Sequence, residues 1–269
     1  MTLYPNCKIN LGLSIVSKRS DGYHNIETIF YPIPLHDELQ IEPAAEDCLS
    51  LSGIRVDGNP NDNLVMKVVR LLREKGLNVP PVSINLKKNI PSGAGLGGGS
   101  SDAAFTMKAL NELFDLGLQE TQMEQWLSPL GADCAVFVRN KPVFAEGIGN
   151  IFTPIKLSLK GWYLILIKPD DFIPTREAYA AVHPQAAQYS LLQLAQQPVK
   201  AWRGKMKNDF EESVFPKHPT IESIRDALYH LGASYASMSG SGSSVYGLFE
   251  KKPLVDDIFE DHFLFECQL

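Results

Sequence analysis

The sequence predicts an α+β protein in which helices back antiparallel sheets, and three observations support this fold class. Strand-like runs alternate apolar and polar residues, which is typical of strands with one covered face. Helical runs repeat apolar residues every three or four positions. In the second half of the chain, a buried strand is followed by helices and then by two strands around a turn, an order that favours a helix-backed sheet.

Composition limits the class of protein before any motif is considered. With 269 residues, 44% of them hydrophobic, the chain can form two lobes of ordinary size. A net charge of −6 argues against a nucleic-acid partner, which requires a basic face. No signal peptide or membrane-spanning run is present, so we expect a cytoplasmic protein with no membrane partner. The scattered cysteines contain no Cys-x-x-Cys pair and suit a reducing cytosol: Cys7, Cys48, Cys134 and Cys267.

The first predicted strand covers residues 6–16, where apolar residues alternate with polar or small ones. This period places Lys8 and Asn10 on the same face. After a turn at residues 19–22, a second strand runs from Tyr23 to Phe30. Tyr23 and His24 stand where this strand begins, and such positions often carry binding groups. Each of these residues also has a purely structural interpretation. Lys8 would then be a solvated lysine, Tyr23 a surface aromatic and His24 a solvated histidine.

The next elements lead to a glycine-rich stretch. Strands are predicted at Glu38–Ile41 and Leu49–Val56, followed by a helix capped by Asn61 or Asp62 and ended by Gly76. Residues 82–87 alternate, as a strand with one exposed face does.

The stretch Pro-Ser-Gly-Ala-Gly-Leu-Gly-Gly-Gly-Ser-Ser at residues 91–101 predicts an anion-binding loop. Five glycines in eleven positions exclude a strand or a regular helix. A helix follows at once, with apolar residues on one face, Ser100 or Ser101 as its cap, Asp102 near its positive end and Gly117 closing it. A glycine loop before a helix N-terminus exposes backbone N–H groups, so we interpret this stretch as a phosphate cradle.

Several glycine motifs compete for this loop. The pattern Gly93-x-Gly95-x-x-Gly98 matches a dinucleotide fingerprint, but the preceding strand is not continuously apolar. A P-loop requires Gly-Lys-Ser/Thr, and the loop contains no lysine. A protein kinase requires later His-Arg-Asp and Asp-Phe-Gly motifs, which are absent from the sequence. A flexible linker fits poorly because the helix begins immediately.

The remaining elements of the first half end near a predicted lobe boundary. Thr121 opens a capping box for a short helix. Asp133 precedes an apolar run, Cys134–Val138, that is predicted to be a strand. A carboxylate at the start of a buried strand is costly unless it has a bonding partner or a functional role. A hairpin edge follows at Pro142–Glu146, and the lobes divide into residues 1–156 and 157–269.

The second lobe begins with a buried strand at Trp162–Ile167 and a helix from Thr175, with Tyr179 one turn later on the same face. Further helices are predicted at Ser190–Gln197 and Thr220–Leu231. A second glycine turn, residues 239–243, precedes a strand at Val245–Phe249.

Taken together, these motifs resemble the GHMP small-molecule kinases. Pro5-x-x-Lys8-Ile9-Asn10-Leu11 is similar to their first motif, residues 91–101 to the second, and Ser239-Gly240-Ser241-Gly242 to the third. The additional set Asp-Gly-Tyr-His, Leu-Gly-Ala-Asp and Phe-Ala-Glu-Gly-Ile-Gly resembles the branch that phosphorylates 4-diphosphocytidyl-2-C-methyl-D-erythritol. The resemblance runs from Pro5 to Phe249.

The resemblance implies two lobes, the first like ribosomal protein S5 domain 2 and the second ferredoxin-like. It implies transfer of the γ-phosphoryl of ATP, with Mg²⁺, to the 2-hydroxyl of that acceptor in non-mevalonate isoprenoid synthesis. Asp133 matches the base and Lys8 its partner. ATP-binding positions are Asn63, Pro91, Ser92, Gly93, Ala94, Gly95, Leu96, Gly97, Gly98, Gly99, Ser100 and Ser101, with motif three at Gly240, Ser241 and Gly242. Acceptor-binding positions are Asn10, Tyr23, His24, Thr175 and Tyr179, with Tyr23 and Tyr179 clamping the cytosine.

Three alternatives remain open from the sequence. Another GHMP kinase, acting on homoserine or mevalonate, would not respond to free CDP. A binder that keeps the fold without catalysis is disfavoured by the presence of both Lys8 and Asp133. A nicotinamide-dependent oxidoreductase rests only on the dinucleotide-like glycines. The magnesium ligands are not determined, and the expected assembly is a monomer or a weak homodimer.

Overall fold

The computed structural model describes residues 1–56, 59 and 62–269, and for residues 256 and 257 only the backbone. Strands and helices follow one another in groups along the chain. The strands are β1 (Thr2–Leu3), β2 (Asn6–Lys18), β3 (His24–His36), β4 (Glu38–Pro43), β5 (Cys48–Gly53), β6 (Val82–Lys88), β7 (Val143–Glu146), β8 (Ile151–Pro154), β9 (Tyr163–Lys168), β10 (Tyr235–Met238), β11 (Val245–Phe249) and β12 (Phe263–Gln268). The helices are α1 (Leu64–Glu74), α2 (Gly98–Leu113), α3 (Glu120–Leu127), α4 (Val136–Arg139), α5 (Thr175–Ala180), α6 (Leu191–Ala195), α7 (Phe210–Val214) and α8 (Pro219–His230), with 3-10 turns at Val199–Ala201 and Asp256–Phe259.

The described residues pack into two compact units that interleave along the chain. The first unit takes residues 1–8, 35–92 and 97–141, and the second takes 9–34, 93–96 and 142–269. The division at 156/157 stays a prediction, because it follows chain order whereas these units are defined by packing.

The first unit contains a sheet of order β1-β4-β6-β5, in which β5 runs parallel to β6 and the other pairs are antiparallel. The alternation predicted for residues 82–87 is confirmed, since Val82, Ile84 and Leu86 are buried while their neighbours are not. Helices α1 and α2 pack against each other, and α2 also packs on β4. Helix α2, which follows the glycine loop, is therefore packed into the core of the first unit.

The second unit contains the predicted helix-backed antiparallel sheet, with strand order β10-β11-β9-β12. Helix α8 packs against β10 and β11 through Ile221, Ile224 and Leu228. A second sheet of this unit has the order β2-β3-β7-β8, with β7 and β8 forming the predicted hairpin. Residues 7–15 of β2 are all buried, so neither face of this strand lies in solvent.

Two predictions for the segment before residue 140 are wrong. Instead of a strand, residues 134 and 135 form a turn and residues 136–138 belong to α4. A short run that is apolar at every position has no period, so its pattern does not separate a strand from a buried helix. The capping box at Thr121 does not form, because α3 begins one residue earlier with Gln119 as its N-cap and no side-chain cap.

The predicted starts of α1 and α2 are also wrong. Asn63 caps α1, since its side chain accepts a hydrogen bond from Val65 N; Asp62 does not cap it, and Asn61 lies outside the described residues. Helix α2 begins at Gly98 instead of after Ser100 or Ser101, and it ends at Leu113, before Gly117. Gly97 has a φ of +71°, and its carbonyl accepts from Ser101 N, so the glycines themselves form the first turn.

Among the helices that the structure describes, none has both the length and the apolar character that crossing a bilayer requires.

Candidate active site

The predicted catalytic pair lies together in the first unit. Lys8 Nζ is 3.1 Å from Asp133 Oδ2, although the two residues are 125 positions apart in the chain. Lys8 is buried at 4% side-chain exposure, whereas Asp133 retains 31% and remains accessible to a ligand. The carboxylate is a hydrogen-bond and proton acceptor, and the ammonium beside it carries a positive charge. The pair can therefore accept a proton and stabilise negative charge that develops next to it.

The beginning of α2 lies beside this pair. A Cβ atom placed on Gly97 would come within 3.2 Å of Lys8 Cε and of the Phe137 ring, so a larger residue would crowd the lysine. The first N–H groups of a helix have no acceptor within that helix. Here they belong to Gly98, Gly99 and Ser100, and the helix dipole favours an anion at the same place. The geometry suits a phosphate group near Lys8.

The middle of the glycine loop, residues 93–96, belongs to the second unit and is held there by motif three. Ser239 Oγ donates to Gly95 O at 2.9 Å, and Ser244 N donates to Ala94 O at 3.2 Å. A Cβ on Gly95 would lie 1.9 Å from Ser239 O. Motif three thus determines the path of this segment by direct backbone contact.

Motif three is fixed in turn by two buried asparagines. Asn208 Nδ2 donates to both Met238 O and Gly240 O at 2.8 Å. Asn10 N donates to Ser239 Oγ at 3.2 Å, and Asn10 Nδ2 donates to Thr28 Oγ1 at 2.9 Å. The sequence assigned Asn10 to the acceptor, which stays a prediction; in the structure its polar groups bind protein and support the loop.

Two of the predicted acceptor-binding aromatics meet in the second unit. The rings of His24 and Tyr179 stack with centroids 4.9 Å apart and an interplanar angle of 18°, and Tyr179 also meets the edge of Phe210. Tyr23 is 62% exposed. Thr175, also exposed, begins the helix that carries Tyr179. The ring stacked face to face on Tyr179 is therefore that of His24, which the sequence assigned to polar contacts.

A buried charge cluster in the first unit was missed by the sequence reasoning. Lys88 Nζ forms ion pairs with Asp37 Oδ2 and, at 2.5 Å, with Asp102 Oδ2. All three side chains are almost fully buried. The signal was present, because Lys88 continues the inward positions Val82, Ile84 and Leu86, and a charge at an inward position requires a buried partner.

Burial raises the pKa of the Asp102 carboxyl to about 7; the Lys88 ammonium opposes this rise and the Asp37 charge adds to it. Asp102 was predicted to favour the positive end of the α2 dipole. It instead lies in the second turn of α2 and bonds to Lys88.

A cavity of about 340 Å³ opens beside this cluster within the first unit. Its walls combine apolar side chains with polar groups from α1, α2 and the start of the glycine loop. They comprise Leu51, Val56, Asn59, Asp62, Asn63, Leu64, Lys88, Ser92, Gly99 and Asp102. The predicted ATP positions Asn63, Ser92 and Gly99 thus share one cavity.

A protein-bound metal ion or a reactive thiol would add further chemistry to this site. Among the described residues, no group of three or more His, Cys, Asp or Glu side chains is arranged to hold a metal ion. Mg²⁺ commonly keeps water ligands and binds through substrate phosphates with few protein ligands, so this arrangement is compatible with a phosphate-bound ion. Cys134 follows Asp133, but burial raises the pKa of its thiol to about 11, which disfavours the reactive thiolate.

Comparisons with known proteins agree across sequence and structure. The family model described as GHMP kinases N terminal domain matches residues 63–141, and that described as GHMP kinases C terminal matches residues 191–262. The 4-diphosphocytidyl-2-C-methyl-D-erythritol kinase of Bacteroides thetaiotaomicron is 58% identical over 254 residues, covering 93% of this chain and 92% of that protein. The enzyme of the same name from Bacteroides fragilis is 53% identical over the full length of both chains.

Solved structures show the same fold. A crystal structure of 4-(cytidine 5′-diphospho)-2C-methyl-D-erythritol kinase matches with a TM-score of 0.77 and 32% identity, covering 92% of this chain and 90% of that chain. The mevalonate kinase of Methanococcus jannaschii matches with a TM-score of 0.70 over 100% of this chain and 98% of its own. At 17% identity, that second likeness concerns the fold alone.

Proposed function

We propose that this chain, which belongs to the GHMP kinases and within them to the 4-diphosphocytidyl-2-C-methyl-D-erythritol kinases, transfers the γ-phosphoryl group of ATP to the 2-hydroxyl of 4-diphosphocytidyl-2-C-methyl-D-erythritol. The reaction serves non-mevalonate isoprenoid synthesis. The observation that carries the proposal is the contact between Lys8 and Asp133 beside the first turn of α2.

The proposed chemistry assigns one task to each member of the pair. The acceptor oxygen forms a bond to the γ-phosphorus as the bond to the β,γ-bridging oxygen breaks, and ADP leaves. The hydroxyl proton passes to Asp133, while Lys8 stabilises the negative charge on the oxygen. Because phosphoryl transfer has a loose transition state, holding the two reactants in line contributes at least as much as removing the proton.

The nucleotide is held by the glycine loop and the cavity beside α1. The N–H groups of Gly98, Gly99 and Ser100 bind phosphate oxygens at the positive end of the α2 dipole. The nucleoside occupies the cavity lined by Asn63 and the buried Lys88. The phosphate oxygens would hold Mg²⁺, and the bound ion would neutralise part of their charge.

The acceptor side uses the aromatic residues of the second unit. Tyr23 is exposed and free to cover one face of the cytosine, while Tyr179 supplies the other face, since base stacking tolerates either Phe or Tyr. The His24 ring stacks on Tyr179 in the structure. When the base binds, the His24 ring must either move away from Tyr179 or stay stacked on it while the base stacks on another ring face. Thr175 and Asn10 remain proposed contacts.

Phosphorylation assays with three acceptors test the proposal. We expect ATP-dependent phosphorylation of 4-diphosphocytidyl-2-C-methyl-D-erythritol, followed by ³¹P NMR, with no product from homoserine or mevalonate. Free CDP should compete with the acceptor, because the other GHMP kinases have no use for cytosine. Transfer to homoserine or mevalonate instead would contradict the proposed acceptor.

A matched pair of lysine variants tests the catalytic assignment in the same assay. Lys8→Met should lose turnover by at least about 10²-fold, because the charge that stabilises the acceptor oxygen is removed. Lys18→Met removes an exposed lysine from the other end of the same strand and should behave as the parent enzyme does. Equal activity of the two variants would remove Lys8 from the mechanism.

We further propose a cytoplasmic location and a monomer or weak homodimer. All four cysteines are free, as expected in a reducing compartment. Sedimentation at micromolar concentration tests the assembly.

A further inference from the structure

The cluster beside the nucleotide cavity contains two carboxylates with unequal hydrogen bonding. Asp37 is fully used, because one oxygen pairs with Lys88 and the other accepts from Asn89 N at 2.6 Å and Ile90 N at 2.8 Å. Asp102 Oδ2 accepts a hydrogen bond from Lys88 Nζ, and the Asp102 carboxyl also lies within hydrogen-bonding range of Asp37. Its Oδ1 is buried, and no described residue donates a hydrogen bond to it.

A buried oxygen without a donor is costly to maintain. Leaving such an acceptor unpaired costs about 1–3 kcal/mol, and more when it is charged, so native proteins keep few of them. Asp102 is only 2% exposed, which limits compensation by solvent, yet it lines the cavity with Lys88, Ser92 and Gly99. Oδ1 itself has almost no accessible surface, so a donor from a molecule bound in the cavity reaches it only when the Asp102 side chain turns toward that molecule.

The charge of the cluster decides which part of a nucleotide lies there. Two carboxylates and one ammonium give a net negative charge when both acids are ionised, which repels a phosphate group. A neutral N–H or O–H donor is attracted to the same oxygen. The neighbouring walls at Leu51, Val56 and Leu64 are apolar and suit a nucleoside.

We propose that Asp102 is a nucleotide-selecting residue, whose Oδ1 accepts a hydrogen bond from a donor group of the bound nucleoside. The donor is either the exocyclic amine of adenine or a ribose hydroxyl. This inference rests on the proposed use of ATP in this cavity. A donor to the carboxylate form also favours ionisation of Asp102, so ATP binding lowers the pKa of this carboxyl from its free value of about 7.

Kinetics with nucleotide analogues test this inference. At pH 8, kcat/KM is measured for ATP, inosine triphosphate, 2′-deoxy-ATP and 3′-deoxy-ATP at saturating acceptor. Inosine triphosphate lacks the amine, and each deoxynucleotide lacks one hydroxyl. We expect the parent enzyme to prefer ATP by about tenfold or more over the analogue that lacks the donor, because a charged acceptor is left unpaired.

Substitution of Asp102 should remove this preference. In Asp102→Asn, Lys88 holds the amide oxygen, so an NH₂ group replaces the acceptor, and the ratio between ATP and that analogue should fall below about threefold. Asp102→Ser is the second variant in case the asparagine form folds poorly. Asp261→Asn, which removes the same charge from an exposed residue outside this cavity, should keep the parent ratios.

Three outcomes are distinguishable. Loss of discrimination in the Asp102 variants alone supports the inference, and the analogue concerned identifies the donor as amine or hydroxyl. Equal use of all four nucleotides by the parent enzyme, or unchanged ratios in the Asp102 variants, overturns it. If the parent enzyme phosphorylates no acceptor, the proposed function fails, and calorimetric binding of the same nucleotides then decides the role of Asp102 independently.

Discussion

Two glycines of the same loop are expected to respond oppositely to alanine. Gly95 has a φ of +73°, where an L-residue costs about 1–2 kcal/mol. The added Cβ would lie 1.9 Å from Ser239 O, so the backbone must separate and lose the Ser239–Gly95 hydrogen bond, worth about 1 kcal/mol. Gly95→Ala should therefore destabilise the protein by about 2–3 kcal/mol.

Gly99 is the matched control. It lies in the first turn of α2 without a positive φ, and among the described residues outside the helix backbone a Cβ there would meet Leu64 Cδ1 alone, at 3.9 Å. Alanine is a better helix former, so Gly99→Ala should gain up to about 1 kcal/mol.

Thermal unfolding of both variants measures this contrast. For a chain of this size, about 2–4 °C of melting temperature corresponds to 1 kcal/mol. Gly95→Ala should melt roughly 5–10 °C below the parent protein, and Gly99→Ala at or slightly above it. A melting temperature for Gly95→Ala equal to the parent value, or equal losses in both variants, would refute the close approach of Ser239 to the loop.

Three further predictions concern catalysis, acceptor binding and pH. Asp133→Asn should lower kcat by roughly 10²–10⁴-fold with little change in the KM for ATP, measured by steady-state kinetics; near-normal turnover would exclude it as the base. Tyr23→Ala should weaken acceptor binding by about 1–3 kcal/mol in calorimetry, whereas Tyr189→Ala, another exposed tyrosine, should not; equal affinities would place the aromatic clamp elsewhere. The raised pKa of Asp102 contributes stability that is complete below about pH 4 and lost as pH rises through about 7. Urea unfolding from pH 5 to pH 8 should therefore show a smaller loss of stability in Asp102→Asn than in the parent, and identical slopes would contradict the assignment.

Local patterns predicted most of the elements and the fold class. The α+β class is confirmed, and the GHMP kinase matches confirm the family fold that the motifs implied. Three patterns were readable in the sequence because each involves residues close together in the chain. They are the alternation in β6, the apolar face of α8 and the run of glycines at residues 91–101. The predictions that failed concerned the caps and ends of helices and the uniformly apolar run Cys134–Val138, which is too short to show a period.

The sequence by itself determined which residues were equipped for chemistry: a lysine and an aspartate with a glycine loop between them. Only the tertiary structure decided that Lys8 lies 3.1 Å from Asp133, that Ser239 lies over Gly95, and that Lys88 pairs with two buried aspartates. These contacts join residues tens to more than a hundred positions apart. Their geometry depends on how strands and helices pack, and packing depends on the whole chain because each buried side chain is fitted to neighbours from other elements.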